Sequence, residues 1–460
     1  MPGGAVATGG AFANPFKQPI VKRGYVWPYL LVTSLFFLWG FAYGLLDVLN
    51  KHFQNVLGIS KTQSTTLQVA YFGVGYFLFS PIAGEILKRK GYKFTVITGL
   101  AFYSTGAIFF WPVAKFSVGT TNPGSIFAGF VVCTAVIACG LATLEVAANS
   151  YASVVPPVKY ANLRLQFSQA CNGVASFTGP LLASHVFFSD ENADNLNNVQ
   201  WVYLGVSLLG VAIATLFFFS DIPEVTEEAL QSEIEDLSQY PGLTEKLAKP
   251  FWHQTRAITG FVAQFLYVGA QVTIGSFFLN YTAENAGIAD SLGSNLLSYG
   301  LIMFTVGRFI GTAILVFVSG PVVLFGAATI AAILSILIGT LHGWSGVVCA
   351  MLIMFFESVQ FPIIFVLSTT NLGRHTRRAS ALLVMGISGG AAFPPIQGVI
   401  ADTYGIRPSF FIVLPCFIYL MLWAVYMWNE EGRRVWVSKS DEPESPRLKA
   451  DDKVGKPLVA

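Results

Sequence analysis

Three carboxylic acids lie inside long apolar stretches of this sequence: Asp47 in FFLWGFAYGLLDVLNKHF, Glu145 in GLATLEVAANS and Glu357 in MFFESVQFP. An ionised carboxylate at the middle of a bilayer costs roughly 2.5–3.5 kcal/mol on insertion scales. Such a residue must therefore meet a partner, face a water-filled cavity or carry a proton. Burial disfavours the charged form of a carboxyl group, so an acid placed this way can load and release protons near neutral pH. The chemistry to expect of Asp47 and Glu145 is proton coupling. Glu145 has small residues on both sides, which allow close helix contact and a polar pocket. Asp47 is either a protonatable group on the first helix or, if that helix ends near Asn50, a residue that reaches interfacial water. Glu357 reads as a third polar group in the cavity or as a structural partner for a nearby donor.

Amides offer both donor and acceptor and are natural ligands for sugar hydroxyls. Those inside apolar spans are Asn149, Gln166, Gln169 and Asn172 in the first half, and Gln264, Gln271, Asn280, Asn295 and Gln360 in the second. Tyr43, Tyr71, Tyr267, Tyr281 and Phe361 could pack on the apolar face of a sugar ring. Each of these, taken singly, is more often a helix-packing residue; their clustering on helices one, four, five, seven and ten gives the signal its weight. Enzyme constellations are missing. His52, His185, His253, His342 and His375 stand at loops or helix ends with no metal-binding i, i+4 pair. No nucleophile elbow or phosphate-binding glycine loop is present. The five cysteines have neither paired nor metal-ligand spacing and read as reduced packing residues.

The elements that must position these side chains follow from composition. The chain has 460 residues, of which 54% are hydrophobic and 11% charged, against about 25% charged in a soluble domain. Most of its surface must face lipid. A net charge of +2 makes nucleic acid an unattractive partner. A spanning helix needs about 20 apolar residues, and twelve candidates emerge: 26–50, 64–87, 94–114, 125–150, 163–188, 200–220, 255–282, 293–315, 319–340, 344–368, 379–401 and 407–428. With the N-terminus cytoplasmic, all of the 27 Lys and Arg residues except Lys51, Lys61, Lys115 and Arg407 fall on the inner side, as the positive-inside rule requires. The expected organisation is an N-terminal tail (1–25), a six-helix bundle (26–220), a polar, acidic central linker (221–254), a second six-helix bundle (255–428) and a C-terminal tail (429–460), with tails and linker cytoplasmic. Weak internal similarity relates the halves. Glu145, then Lys159 and Arg164, then Gly173 and Pro180 parallel Glu357, then Arg374, Arg377 and Arg378, then Gly389, Gly390 and Pro394. Parallel repeats of six helices with a site where the halves meet are a transporter plan.

In these segments the chain resembles the Major Facilitator Superfamily, and within it the fucose and glucose/galactose permease group of sugar–proton symporters. The matching segments are FFLWGF and LLDVL, VITGLAFYSTGAIFFWP, GLATLEVAAN, RLQFSQACNG, AQFLYVGAQ, VGRFIGT and SVQFPIIFVLSTTNLG, together with the Gly/Pro-rich eleventh helix. They span about residues 34–428. The resemblance implies an all-α integral membrane fold of twelve transmembrane helices in two six-helix bundles. It also implies that Asp47 serves proton coupling, that Glu145 serves coupling and substrate, and that Gln169, Asn172 and Gln271 are the pocket amides. The chain departs from the group's pattern at Leu46, where Asn commonly precedes the helix-one Asp, at Tyr43 and Gly44, where close bacterial members are amide-rich, and at Glu357, which has no acidic counterpart.

The expectation is a secondary active transporter that moves a monosaccharide of the fucose/hexose class with a proton by alternating access. The sugar would be held by Glu145, Gln169, Asn172, Gln271, Tyr43, Gln360 and Phe361, with Glu357, Asn149 and Asn295 as further candidates. No metal or cofactor beyond the coupling proton is expected. The expected setting is the lipid bilayer of the plasma membrane, with the chain working as a monomer. The rival readings are a carrier of an amino sugar, polyol or organic anion, and a non-transporting sugar sensor, which would typically carry a longer cytoplasmic extension.

Overall fold

The computed structural model describes residues 19–57, 66–116, 123–157, 160–187, 197–224, 250–370, 372 and 375–436, with the side chains of 43–56, 179–198, 290–291 and 294 left out of the description. Residues 225–249 of the central linker lie outside the described residues. In chain order the helices are α1 (Val26–Leu57), α2 (Thr66–Gln68, continued by a π-helical stretch, Val69–Leu78), α3 (Ser80–Lys115), α4 (Pro123–Val154), α5 (Ala161–Phe187), α6 (Asn197–Phe219), α7 (Thr255–Ala286), α8 (Asp290–Ile314), α9 (Gly320–Thr340), α10 (Trp344–Glu357), α11 (Gln360–Thr369), α12 (Thr376–Met385), α13 (Gly389–Tyr404), α14 (Ile406–Ser409) and α15 (Leu414–Glu430).

Among the described residues ten helical stretches are long and apolar enough to cross a membrane. One of them, Thr66–Lys115, is 50 residues long. At about 1.5 Å per residue that is more than twice the ~30 Å hydrocarbon core. It divides at Gly91, whose φ of 80° is a left-handed geometry that glycine adopts without a Cβ penalty. Two crossings therefore meet at the basic turn, and with α5 the total is the expected twelve. α10 and α11 form one crossing interrupted at Ser358 and Val359. Pro362 has no amide to offer the Ser358 carbonyl, which weakens the helix there. α12 and α13 form another, joined by a 3-10 turn at Gly386–Ser388. One boundary differs in a way that matters: α1 continues to Leu57 rather than stopping near Asn50, so the backbone at Asp47 is mid-helix.

The first bundle is knit by α3 against α4 and α6 and by α1 against α5; the second by α9 against α15 and α10, and by α7 against α13. Small residues permit these approaches. A Cβ on Gly140 of α4 would stand 2.5 Å from the Tyr103 amide nitrogen of α3, the close backbone packing that glycine allows between membrane helices. The outer face exposes Val132, Phe109, Leu209, Phe218, Ile333 and Leu422, a surface suited to hydrocarbon rather than to water. Contacts between the bundles run through α5 with α8 and α11, and through α12 with α3 and α4. The last of these pairs meets at the end bearing the basic turn.

Candidate functional site

Glu145 sits in a stretch of α4 from Gly140 to Val154 that is buried throughout. Its Oε1 accepts a hydrogen bond of 2.8 Å from the Tyr76 hydroxyl, which belongs to the π-helical stretch of the second crossing. Tyr71 and Tyr76 hydroxyls lie 3.4 Å apart, so the acid stands at the end of a short chain of phenolic groups. Asn149, one helical turn along α4, is fully buried, and neither of its amide atoms has a protein partner among the described residues.

Asn172 on α5 is held on both sides. Its Nδ2 donates to the Phe36 carbonyl of α1 at 3.1 Å, and its Oδ1 accepts from Arg308 Nη1 of α8 at 2.8 Å. The same Nη1 donates to the Gln169 carbonyl at 2.5 Å, and Gln166 Nε2 returns a bond of 3.1 Å to the Arg308 carbonyl. Two residues of α5 thus accept from the guanidinium of α8, in the opposite bundle, and a third, Gln166, bonds the backbone of the same arginine. Arg308 also lies over the Phe304 ring, 4.5 Å from its centroid. Its field acts on Glu145. Gly173 completes the approach, since a Cβ there would touch Thr305 of α8 at 3.0 Å.

A second cluster forms where α7 meets the interrupted tenth crossing. Tyr267 is fully buried and donates to the Glu357 carbonyl at 2.9 Å. Phe361 packs against Tyr267, with ring centroids 6.4 Å apart. Gln360 Nε2 donates to the Phe356 carbonyl at 3.2 Å across the interruption. The Glu357 side chain is buried, and its Oε1 has no protein partner among the described residues.

At the basic end, Arg377 of α12 donates to the Leu87 and Lys88 carbonyls at 3.2 and 3.3 Å. It also stands 3.7 Å from Glu224. Glu224 in turn accepts from the backbone amides of Tyr92 at 2.9 Å and Lys93 at 3.2 Å. Arg164 donates to the carbonyls of Ala152 and Ser153 at 3.0 and 3.4 Å, satisfying acceptors that the end of α4 leaves open, and to the Pro157 carbonyl beyond it at 2.7 Å.

An all-helical chain with two bundles of six crossings, joined by buried polar residues at their interface, is matched over residues 32–375 by the family model of the Major Facilitator Superfamily. This chain is a member of that superfamily. As such it is a membrane transporter and not an enzyme. It is 30% identical over 410 residues to a glucose/galactose transporter of Brucella abortus, covering 88% of this chain and 95% of the relative. It is 30% identical over 426 residues to the L-fucose-proton symporter of Escherichia coli, covering 88% and 93%. Among solved structures, the crystal structure of the transporter FucP in its outward conformation superposes with a TM-score of 0.74 at 29% identity, over 88% of this chain and 99% of that one. A proton:xylose symporter structure at 17% identity, with a TM-score of 0.62, shares the fold.

Of the residues singled out in the sequence, the superfamily scaffold brings Glu145, Gln169 and Asn172 into the neighbourhood of Arg308, and Glu357, Gln360 and Phe361 into that of Tyr267. Gln271 is half-buried on α7, one turn beyond Tyr267 on the same face, and Asn295 is exposed on α8, more than three turns from Arg308. The side chains of Tyr43 and Asp47 lie outside the described residues. Arg308 and Tyr76 are the partners that sequence reasoning missed. The positive-inside reading places Arg308 with the basic residues of the inner side. The available signal was a solitary arginine with apolar residues on both sides in TVGRFIG, which deserves the same scrutiny as a solitary acid.

Proposed function

We propose that this protein carries a monosaccharide of the fucose/hexose class together with a proton, by alternating access across the plasma membrane, with both tails and the central linker cytoplasmic. The observation that carries the reading is a buried carboxyl, Glu145, bonded to Tyr76, in the same bundle as Gln169 and Asn172, which are tied to a buried cation of the other bundle. Two full-length relatives named for sugars add to it. Glu145, Gln169, Asn172 and Gln271 would hold sugar hydroxyls, and Tyr43, Gln360 and Phe361 would line the pocket. Asn149 has amide atoms free for the same work; Glu357 and Asn295 are less direct candidates. No cofactor is needed beyond the coupling proton, and a single chain suffices.

The mechanism follows from electrostatics. An ionised Asp47 or Glu145 in a closed, dry site would lack compensation. Protonation from the outer side removes that penalty, so the site closes around sugar only when proton and sugar are both present. Contacts of α12 with α3 and α4 keep the basic end shut while the site loads, the arrangement expected of an outward-facing carrier. Breaking the Arg308 and Arg377 contacts opens that end and releases both solutes.

The test is uptake by purified protein in liposomes, screened over labelled monosaccharides, amino sugars, polyols and organic anions, with and without an imposed pH gradient. Gradient-driven accumulation of a neutral hexose or deoxyhexose supports the reading. Accumulation confined to another class, or binding without uptake, replaces it with one of its rivals. Tags at positions 235 and 455 should be inaccessible from outside intact cells; external labelling of either overturns the orientation.

A further inference from the structure

Two buried atoms of opposite character stand on facing helices without hydrogen-bond partners among the described residues: Nε of Arg308 and Oε1 of Glu357. The helices that carry them touch closely. A Cβ on Gly307, the neighbour of Arg308, would lie 2.7 Å from the Phe355 carbonyl, in the turn that ends at Glu357. Tyr267 of α7 lies against the same turn, its hydroxyl bonded to the Glu357 carbonyl at 2.9 Å. Yet no ion pair joins Arg308 to any acid among the described residues. Its Nη1 is turned toward the other bundle, onto Asn172 and Gln169.

An ionised carboxylate as buried as Glu357, at 1% exposure, with an unpartnered oxygen would be left largely uncompensated. The ionisable groups facing it are few. α9 and α11 carry none. On α7 the facing group is Tyr267, with Arg256, Tyr281 and Glu284 about three turns or more away. On α8 it is Arg308, with Asp290 and Tyr299 more than two turns distant.

We propose that Glu357 binds a second transported proton. It is the neutral acid while Arg308 is committed to Asn172 and Gln169. When the bundles part at the basic end, Arg308 loses those acceptors and turns to its own bundle. Glu357 then gives its proton to water on the basic side and its carboxylate pairs with the guanidinium. Charge balances at each stage: a neutral acid and a cation become an ion pair, and one proton leaves. The coupling part of this proposal rests on the proton–sugar reading above.

Two measurements test it. Infrared spectra of parent and E357Q in lipid nanodiscs at neutral pH should differ by a carboxylic-acid C=O band that E357Q lacks; identical spectra overturn the proposal whatever solute is carried. In liposomes with the membrane potential clamped at zero and a gradient of one pH unit, each coupled proton contributes about a tenfold accumulation. The parent should reach about a hundredfold, E357Q about tenfold, and E357D, which keeps an acid, about a hundredfold. Equal ratios for parent and E357Q overturn the coupling, as does a loss in E357D matching that in E357Q, which marks a structural role. A parent that accumulates no monosaccharide refutes the functional reading and the coupling with it, while the infrared band still decides whether Glu357 is the neutral acid.

Discussion

Arg308 Nη1 donates to Asn172 Oδ1 at 2.8 Å, and this bond ties the second bundle to the first. The guanidinium is buried and its acceptors are neutral oxygens. Hydrogen bonds to a charged group contribute about 1.5–3 kcal/mol each, enough to bias a conformational equilibrium without locking it. A carboxylate in the place of Asn172 would hold more tightly and would slow a carrier that must let go once per cycle.

Removing the cation should therefore open the basic end. Arg308→Gln deletes the charge and shortens the reach, and should shift the closed-to-open ratio by about 30-fold or more, in line with about 2 kcal/mol. Spin labels at Lys90 and Thr255, on opposite bundles at that end, should report a longer distance in the variant. An unchanged distance distribution would show that the Arg377 and Glu224 contacts suffice by themselves.

Gly40 of α1 lies directly over Asn172, and a methyl group there would collide with both the Asn172 carbonyl oxygen and its Nδ2. The carbonyl belongs to the α5 backbone and cannot step aside. Overpacking of this kind costs about 1–3 kcal/mol, and here it falls on the side chain proposed to touch sugar. Gly40→Ala should weaken sugar binding by about tenfold or more, measured by calorimetry. Gly205→Ala, with open space around its added methyl, is the control and should bind as the parent does.

Glu431, just beyond α15 and outside the spans, supplies a pH dependence of stability. Burial pushes its carboxyl above the ordinary 4.5, and the nearby Arg256 only partly offsets this. The folded chain then holds this proton more tightly than the unfolded chain. The stability it contributes is complete at pH below 4.5 and is lost as pH rises through the elevated folded value. Glu431→Gln cannot titrate, so its melting temperature in detergent should lack this part of the decline. Parallel melting profiles for parent and variant from pH 4 to 8 would remove Glu431 from the account.

Much of this architecture could be read from residues alone, and the reasons are physical. Runs of apolar residues about 20 long mark crossings because an unpaired backbone cannot sit in lipid, and a lone acid such as Glu145 stands out against them. Arg308 hid because basic residues near an inner helix end are what orientation rules already expect. Tyr76 hid because a tyrosine in VAYFGVGYFL looks like packing, and the π-helical winding of that stretch rotates it to a face that a 3.6-residue period does not foresee. The break after Glu357 has a signal, Pro362, but its consequence for Gln360, whose amide is drawn to Phe356, depends on how the two helix pieces are stacked.

The coupling acids give the most exposed prediction. Glu145 is buried and accepts from Tyr76, so it is no ordinary surface carboxylate, and the α1 backbone at Asp47 is mid-helix. Asn and Gln copy the size of the neutral acids but exchange no proton. Asp47→Asn should remove the share of pH-driven accumulation that Asp47 couples, leaving at most about tenfold per pH unit, the share assigned to Glu357. It should leave part of the sugar counterflow, because a permanently neutral carrier can still rock when loaded. Glu145→Gln should impair both, since that side chain is proposed to meet sugar as well as proton. Tyr76→Phe removes one donor to Glu145, a loss of roughly 1.5–3 kcal/mol for a bond to a charged group. It should slow accumulation by about tenfold or more while leaving the protein folded. The measurement is accumulation and counterflow in the same liposomes. Full proton-driven accumulation by Asp47→Asn would remove Asp47 from the mechanism and place the coupling on Glu145 or Glu357.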